Sequence, residues 1–205
     1  MGLRLFILSR WIPKFIIRRE LGKISENTTT ALKTLVSKYA AQTISFPNQS
    51  QQSAKTIQEQ RTAMAQTQTK LVEILEAAVG HDEAVKLGRD ALFSVGQNLG
   101  EQARSSLGVG DNANDLSRAA KIMYRVLGIE FHLDWHDQSK ATLIIDQCAL
   151  AKQYSKLTCE VLSATDEGVV HGLQPKLTMK FEEYMTSGGR NCRAAIRLTT
   201  KRAED

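Results

Sequence analysis

Three cysteines and one aspartate are the residues of this 205-residue sequence whose types and spacing best suit chemistry. Cys148 stands where an alternating segment passes into a helical one, Cys159 follows eleven residues on, Asp166 seven beyond that, and Cys192 opens the last alternating segment. Eleven residues are three turns of a continuous helix, so Cys148, Cys159 and Asp166 fall on nearly one face. Thiolates are the nucleophilic and metal-binding form of cysteine, and a nearby carboxylate can carry a proton or act as a ligand. The four groups therefore read as the lining of one cleft between a helix and a hairpin. Along an uninterrupted helix, at about 1.5 Å per residue, Cys148 and Cys159 would stand about 16 Å apart, too far to share an ion. Only a bent entry into the helix would bring them together. Buried thiols filling small spaces account for the same residues equally well.

Other chemistries are poorly served. The spacing holds no C-x-x-C pair, which argues against a zinc ribbon or a redox dithiol, and there is no Ser-His-Asp order, phosphate-binding glycine loop or zinc-protease helix. His132 and His136 share a strand face about 13 Å apart and read as solvated. His171, five residues beyond Asp166, falls near a helix C-terminus at the mouth of the cleft and is a candidate substrate-binding residue. Arg190, Arg193 and Arg197 read as outward strand residues, and Gly188-Gly189 as a hairpin connection.

The elements that must position these groups follow from periodicity. Apolar residues at helical spacing predict helices over 25–41, 54–79, 82–107 and 115–127, with a break at Phe46-Pro47-Asn48 and a loop over 49–53. Asp115 reads as the cap of the fourth. In the third, Gly88, Leu92, Gly96 and Gly100 fall on one i, i+4 row, which points to close approach of another helix or of a ligand. The period then changes: strands are expected over 131–136 and 141–147, a helix from Ala149 to about Val170, and strands over 177–182 and 192–198. The expected class is α+β, an N-terminal helical half followed by a β-β-α-β-β module with an antiparallel sheet. Residues 24–128 form its helical region and 129–200 the cysteine-bearing module, the two making one globular unit.

The net charge of +5 does not mark a nucleic-acid binder. Arg4, Arg10, Lys14, Arg18, Arg19 and Lys23 stand against Glu20 alone in residues 1–23, which accounts for the whole excess, and the remaining chain is balanced. Those charges alternate with apolar residues that include Trp11 and Phe15. With Pro13 in the middle, the segment reads as an arm packed on the body or on a second copy, or laid on an anionic membrane surface, rather than as a membrane span. An odd number of cysteines and no secretory cleavage pattern lead to the expectation of a cytoplasmic protein, peripheral at the membrane if the arm docks there.

The stretch Cys148-Ala-Leu, then Cys159 with Asp166, Pro175, Gly188-Gly189 and Cys192 resembles the L-2-amino-thiazoline-4-carboxylic acid hydrolase-like family, and more distantly the 4-vinyl reductase-type small-molecule sensor domains. The Arg18-Arg19-Glu20 start resembles the hydrolase-like group as well, and the detailed likeness covers about the last 60 residues. The resemblance implies hydrolytic opening of a small cyclic amidine, or another nitrogen- and sulfur-containing heterocycle, by attack at the carbon between nitrogen and sulfur. It implies Cys159 as nucleophile or water-positioning group, Asp166 as acid and base, and Cys148 and Cys192 as residues that shape or ligate the site; with His171 these two are the candidate substrate-binding residues. The sensor domains imply instead a non-enzymatic ligand pocket beside a zinc ion held by cysteines and a carboxylate. Here the chain departs from that pattern, because Tyr184 stands where a cysteine is expected.

Overall fold

The structure is a computed structural model that describes residues 3–40, 56–137 and 139–199. The expected break at 46–48 and loop over 49–53 lie outside the described residues. The basic N-terminal arm begins with α1 (Leu3–Arg10), which ends three residues before Pro13, and α2 runs unbroken from Lys14 to Tyr39. The second helix thus starts well before residue 25. The Thr28 hydroxyl bonds back to the Ile24 carbonyl at 2.8 Å inside the helix. α3 (Ile57–Val79) opens on a reciprocal cap between Thr56 and Glu59, and Gly80 separates it from α4 (His81–Leu107). α5 (Ala113–Leu127) is capped by the Asn112 side chain, which accepts from the Asp115 backbone at 2.9 Å; Asp115 sits inside the first turn and is not the cap.

Gly128, at φ 75°, turns the chain from α5 into β1 (Ile129–Trp135), which β2 (Lys140–Cys148) follows. After α6 (Lys156–Leu173) come β3 (Leu177–Glu183), a 3-10 turn (Met185–Ser187) and β4 (Cys192–Leu198). The sheet is antiparallel in the order β1-β2-β4-β3, with Ile145 opposite Cys192 and Phe181 opposite Ala194. The fold is therefore α+β, as the change of period from helical to alternating predicts.

α6 is the central element, covered by α4 on one side and by the sheet on another. The glycine row of α4 explains how the two helices approach so closely. A Cβ at Gly96 would run into the Thr165 carbonyl oxygen, one at Gly100 into that of Val169, and one at Gly168 of α6 into that of Phe93. The row is thus a backbone-to-backbone seam, which sets the height at which α6 presents Cys159, Thr165 and Asp166. Arg89 of α4 fastens it further: it donates to Glu167 at 2.7 Å, to the Glu160 carbonyl at 2.7 Å and to Ser163 at 3.1 Å. The Phe181 amide of β3 donates to the other Glu167 oxygen at 3.2 Å, so this one carboxylate joins α4, α6 and the sheet.

Candidate functional site

The path from β2 into α6 decides the site. Residues 149–153, Ala-Leu-Ala-Lys-Gln, do not continue as a helix but fold into turns, with the Ala151 amide bonding the Cys148 carbonyl at 3.3 Å and the Gln153 amide that of Leu150 at 2.9 Å. The helix starts only at Lys156, where the Ser155 hydroxyl accepts from the Thr158 amide at 3.1 Å. The expected helix from Ala149 is therefore corrected. Good helix formers in that stretch yield to the downstream cap and to the sheet, because the Ala149 amide bonds the Gly128 carbonyl at 3.1 Å. The entry is bent, and the straight-helix separation of Cys148 and Cys159 no longer applies.

As a result Cys148, Cys159, Cys192 and Asp166 line a single cavity of about 90 Å³ between α6, the sheet and the helical half. A smaller space of about 50 Å³, toward Tyr124 and Val170, shares Thr165 and Asp166 with it. The walls are chiefly apolar, among them Met64, Leu127, Ile145, Leu162 and Phe181, and the lining contains no lysine, arginine or histidine among the described residues. His171 does not join this lining; its ring packs against Phe93 of α4, with ring centres 5.8 Å apart. His132 bonds Asp146 at 2.7 Å and His136 bonds Thr142 at 2.7 Å on the exposed face of the sheet.

Burial without a cation sets the electrostatics. The Asp166 carboxyl is pushed up to about 7, first by loss of solvent and then by the neighbouring Glu167 charge, and no hydrogen bond from the described residues counteracts this. Burial likewise raises the thiols, Cys159 to about 12, and Cys148 and Cys192 above their ordinary value. All three are protonated in the free protein near neutral pH. Thr165 lines both spaces, and its buried hydroxyl has no hydrogen-bond partner among the described residues. One wall is therefore prepared for a ligand: a carboxyl poised at neutral pH beside an unpaired hydroxyl.

Sequence reasoning missed the polar groups on the opposite wall. Tyr154 donates to the Gln68 side-chain oxygen, and the Gln68 amide donates to Thr28 at 2.7 Å, tying α6's approach, α3 and α2 together around the cavity. Gln68 is 1% exposed, and a lone glutamine on an otherwise apolar helical stripe is the signal that marks it. Tyr184 also lines the cavity, with its hydroxyl 3.2 Å from that of Ser163. Among the described residues no three histidine, cysteine, aspartate or glutamate side chains are arranged to hold a metal ion. Tyr184, standing where the sensor pattern has a cysteine, supplies no thiolate to a zinc site of that type.

Among the solved structures that match, two illustrate the shared fold. Subunit 3 of a trafficking protein particle complex from Naegleria fowleri, covalently bound to palmitic acid, is 14% identical, aligns over 68% of this chain and 95% of its own, and has a TM-score of 0.54. The phenol-responsive sensory domain of the transcription activator PoxR, solved with phenol, is 13% identical over 67% of this chain and 74% of its own, with a TM-score of 0.51. No curated protein matches the sequence. The L-2-amino-thiazoline-4-carboxylic acid hydrolase family matches residues 58–195; the match begins well before the last 60 residues that carry the motif and spans α3 through most of β4. The cavity, with its three thiols and Asp166, lies largely within that match, and the chain belongs to the L-2-amino-thiazoline-4-carboxylic acid hydrolase family.

Proposed function

We propose that the protein hydrolyses a small cyclic amidine held against Asp166 in this cavity. The observation that carries the reading is a carboxyl poised near pH 7 in an apolar space whose described lining contains no cation. A partly desolvated carboxylate in that setting lacks a partner, and a planar amidinium supplies one through two parallel hydrogen bonds. The two adjoining spaces are of the scale of the roughly 150 Å³ apolar cavity that accepts one six-membered ring.

In this reading Asp166 holds the ring and takes a proton from water as the water adds to the carbon between nitrogen and sulfur. It returns that proton to the ring nitrogen as the carbon–nitrogen bond breaks. The unpaired Thr165 hydroxyl orients the water. Cys159, protonated at rest, helps to position water and substrate instead of attacking as a thiolate. A carboxylate on the same ring finds no cation in the described lining, so 2-aminothiazoline suits the cavity better than its 4-carboxylic acid.

Ring opening of 2-aminothiazoline, followed by proton NMR with the wild type and Asp166→Asn, tests the reading. Turnover by the wild type and a fall of about 100-fold or more in the variant are expected; undiminished turnover in the variant contradicts it. A second reading, a ligand sensor without turnover, is favoured by the fully protonated thiols and by the fold shared with a domain solved with phenol. Saturable binding of 2-aminothiazoline without ring opening would select it.

A further inference from the structure

The basic arm has two apolar rows, and only one of them serves the fold. Leu5 and Ile12 are fully or almost fully buried, with Leu8 and Ile16 packed beside them against α4, α5 and α6. Between these inward residues, Ile7, Trp11 and Phe15 point outward and are 49%, 67% and 68% exposed. They are three of the five large exposed hydrophobic residues among those described. The arm is held in this pose: Arg125 of α5 donates to the carbonyls of Ser9 and Arg10 at 3.3 and 3.1 Å, and the Arg10 guanidinium lies 4.3 Å from the Phe6 ring centre. The outer row is therefore a fixed apolar surface.

Its surroundings name the partner. Arg4, Arg10 and Lys14 are exposed among these residues, and Arg19 and Lys23 follow on α2. Behind the arm a groove of about 650 Å³ has an apolar floor that includes Leu99, Leu107 and Ile122, and Arg4, Arg19 and Lys23 at its edge. Apolar anchors interleaved with cations match a surface that is hydrocarbon beneath anionic headgroups. A second copy matches poorly. Two arms face to face would oppose like charges, and Glu20, the only acid of residues 1–23, is already engaged by Arg19 at 2.7 Å and Lys23 at 3.3 Å. No helix among the described residues is long and apolar enough to cross a membrane, so the contact is one of lying on the surface.

We infer that α1 and the start of α2 dock the protein on an anionic membrane surface, with Trp11 and Phe15 entering the interface and the arginines and lysines meeting the headgroups. The test is co-sedimentation of the full chain with vesicles of phosphatidylcholine alone and of phosphatidylcholine with phosphatidylglycerol. It is paired with the fluorescence of a Trp135→Phe protein, in which Trp11 is the remaining tryptophan. Sedimentation with the anionic vesicles only, weakening as salt rises, and a blue shift of Trp11 emission are expected. Trp11→Ser with Phe15→Ser, at exposed positions, keeps the wild-type melting temperature and binds roughly tenfold or more weakly. Equal binding to both kinds of vesicle, or none with an unshifted Trp11, overturns the proposal. So does a wild-type dimer that the double variant converts to monomer without any vesicle binding.

Discussion

Asp166 shows how the surroundings of one side chain reset its ionisation. Its carboxyl titrates at about 7 in the folded chain against 3.8 for an ordinary aspartate, so the fold binds the proton more tightly than the unfolded chain does. The sign follows: this contribution to stability is complete below pH about 4 and is lost as pH rises through about 7. The loss is on the order of 4 kcal/mol for a shift of about three units. Asp166→Asn, neutral at every pH, removes that slope. Melting curves are expected to show the variant more stable than wild type at pH 8 and similar at pH 4; parallel curves would be the opposite finding. The thiols give a second expectation. With Cys159 at about 12, its alkylation by iodoacetamide at pH 8 runs roughly 100-fold or more below that of a free thiol and climbs with pH, as mass spectrometry of the modified site can follow. Helix period groups Cys159 with Asp166 and strand alternation adds Cys192, whereas Cys148, placed by the sequence on the same helix face, joins them through the bent entry instead. Their ionisation was not legible there, since it depends on the absence of cations from walls contributed by distant segments. Thr165 and Gln68 escaped for the same reason.

Elements were read well where their period is clean and less well where their ends depend on tertiary contacts. The five residues after Cys148 have helical propensity and still form turns, because Ser155 caps the helix later and Gly128 claims the Ala149 amide. The Ser155-x-x-Thr158 spacing was the available cue. α2 extends further than the expected helix over 25–41 for the converse reason: the Asn27-Thr28-Thr29-Thr30 run offers capping oxygens, yet lies within the helix. The glycine row of α4 was legible as a close approach, and the structure identifies the visitor as the α6 backbone. That seam sets the position of the site. Gly96→Ala places a methyl group against the Thr165 carbonyl and forces α6 away, at a cost of about 3 kcal/mol or more in denaturant unfolding. A Gly96→Ala protein with unchanged stability and turnover would show that the close approach does not govern the cavity.

At the scale of the molecule, four α-helices after the arm and a four-stranded sheet around α6 follow from the change of hydrophobic period near Gly128. The arm's composition likewise announced its two sides, while only the structure shows which apolar row is spent on the core and which is left outside. The family match and the shared folds locate the cavity in a known framework, and the chemistry rests on what this chain places inside it. The claim that joins the scales is that the fold holds Asp166 ready for a cationic ring. Carbon-13 NMR titration of the Asp166 carboxyl, with and without 2-aminothiazoline, tests it most directly. A midpoint near 7 in the free protein that falls by at least about one unit when the amidine binds is the expected result. A midpoint in the ordinary aspartate range near 4, or one near 7 that the amidine leaves unmoved, would contradict it.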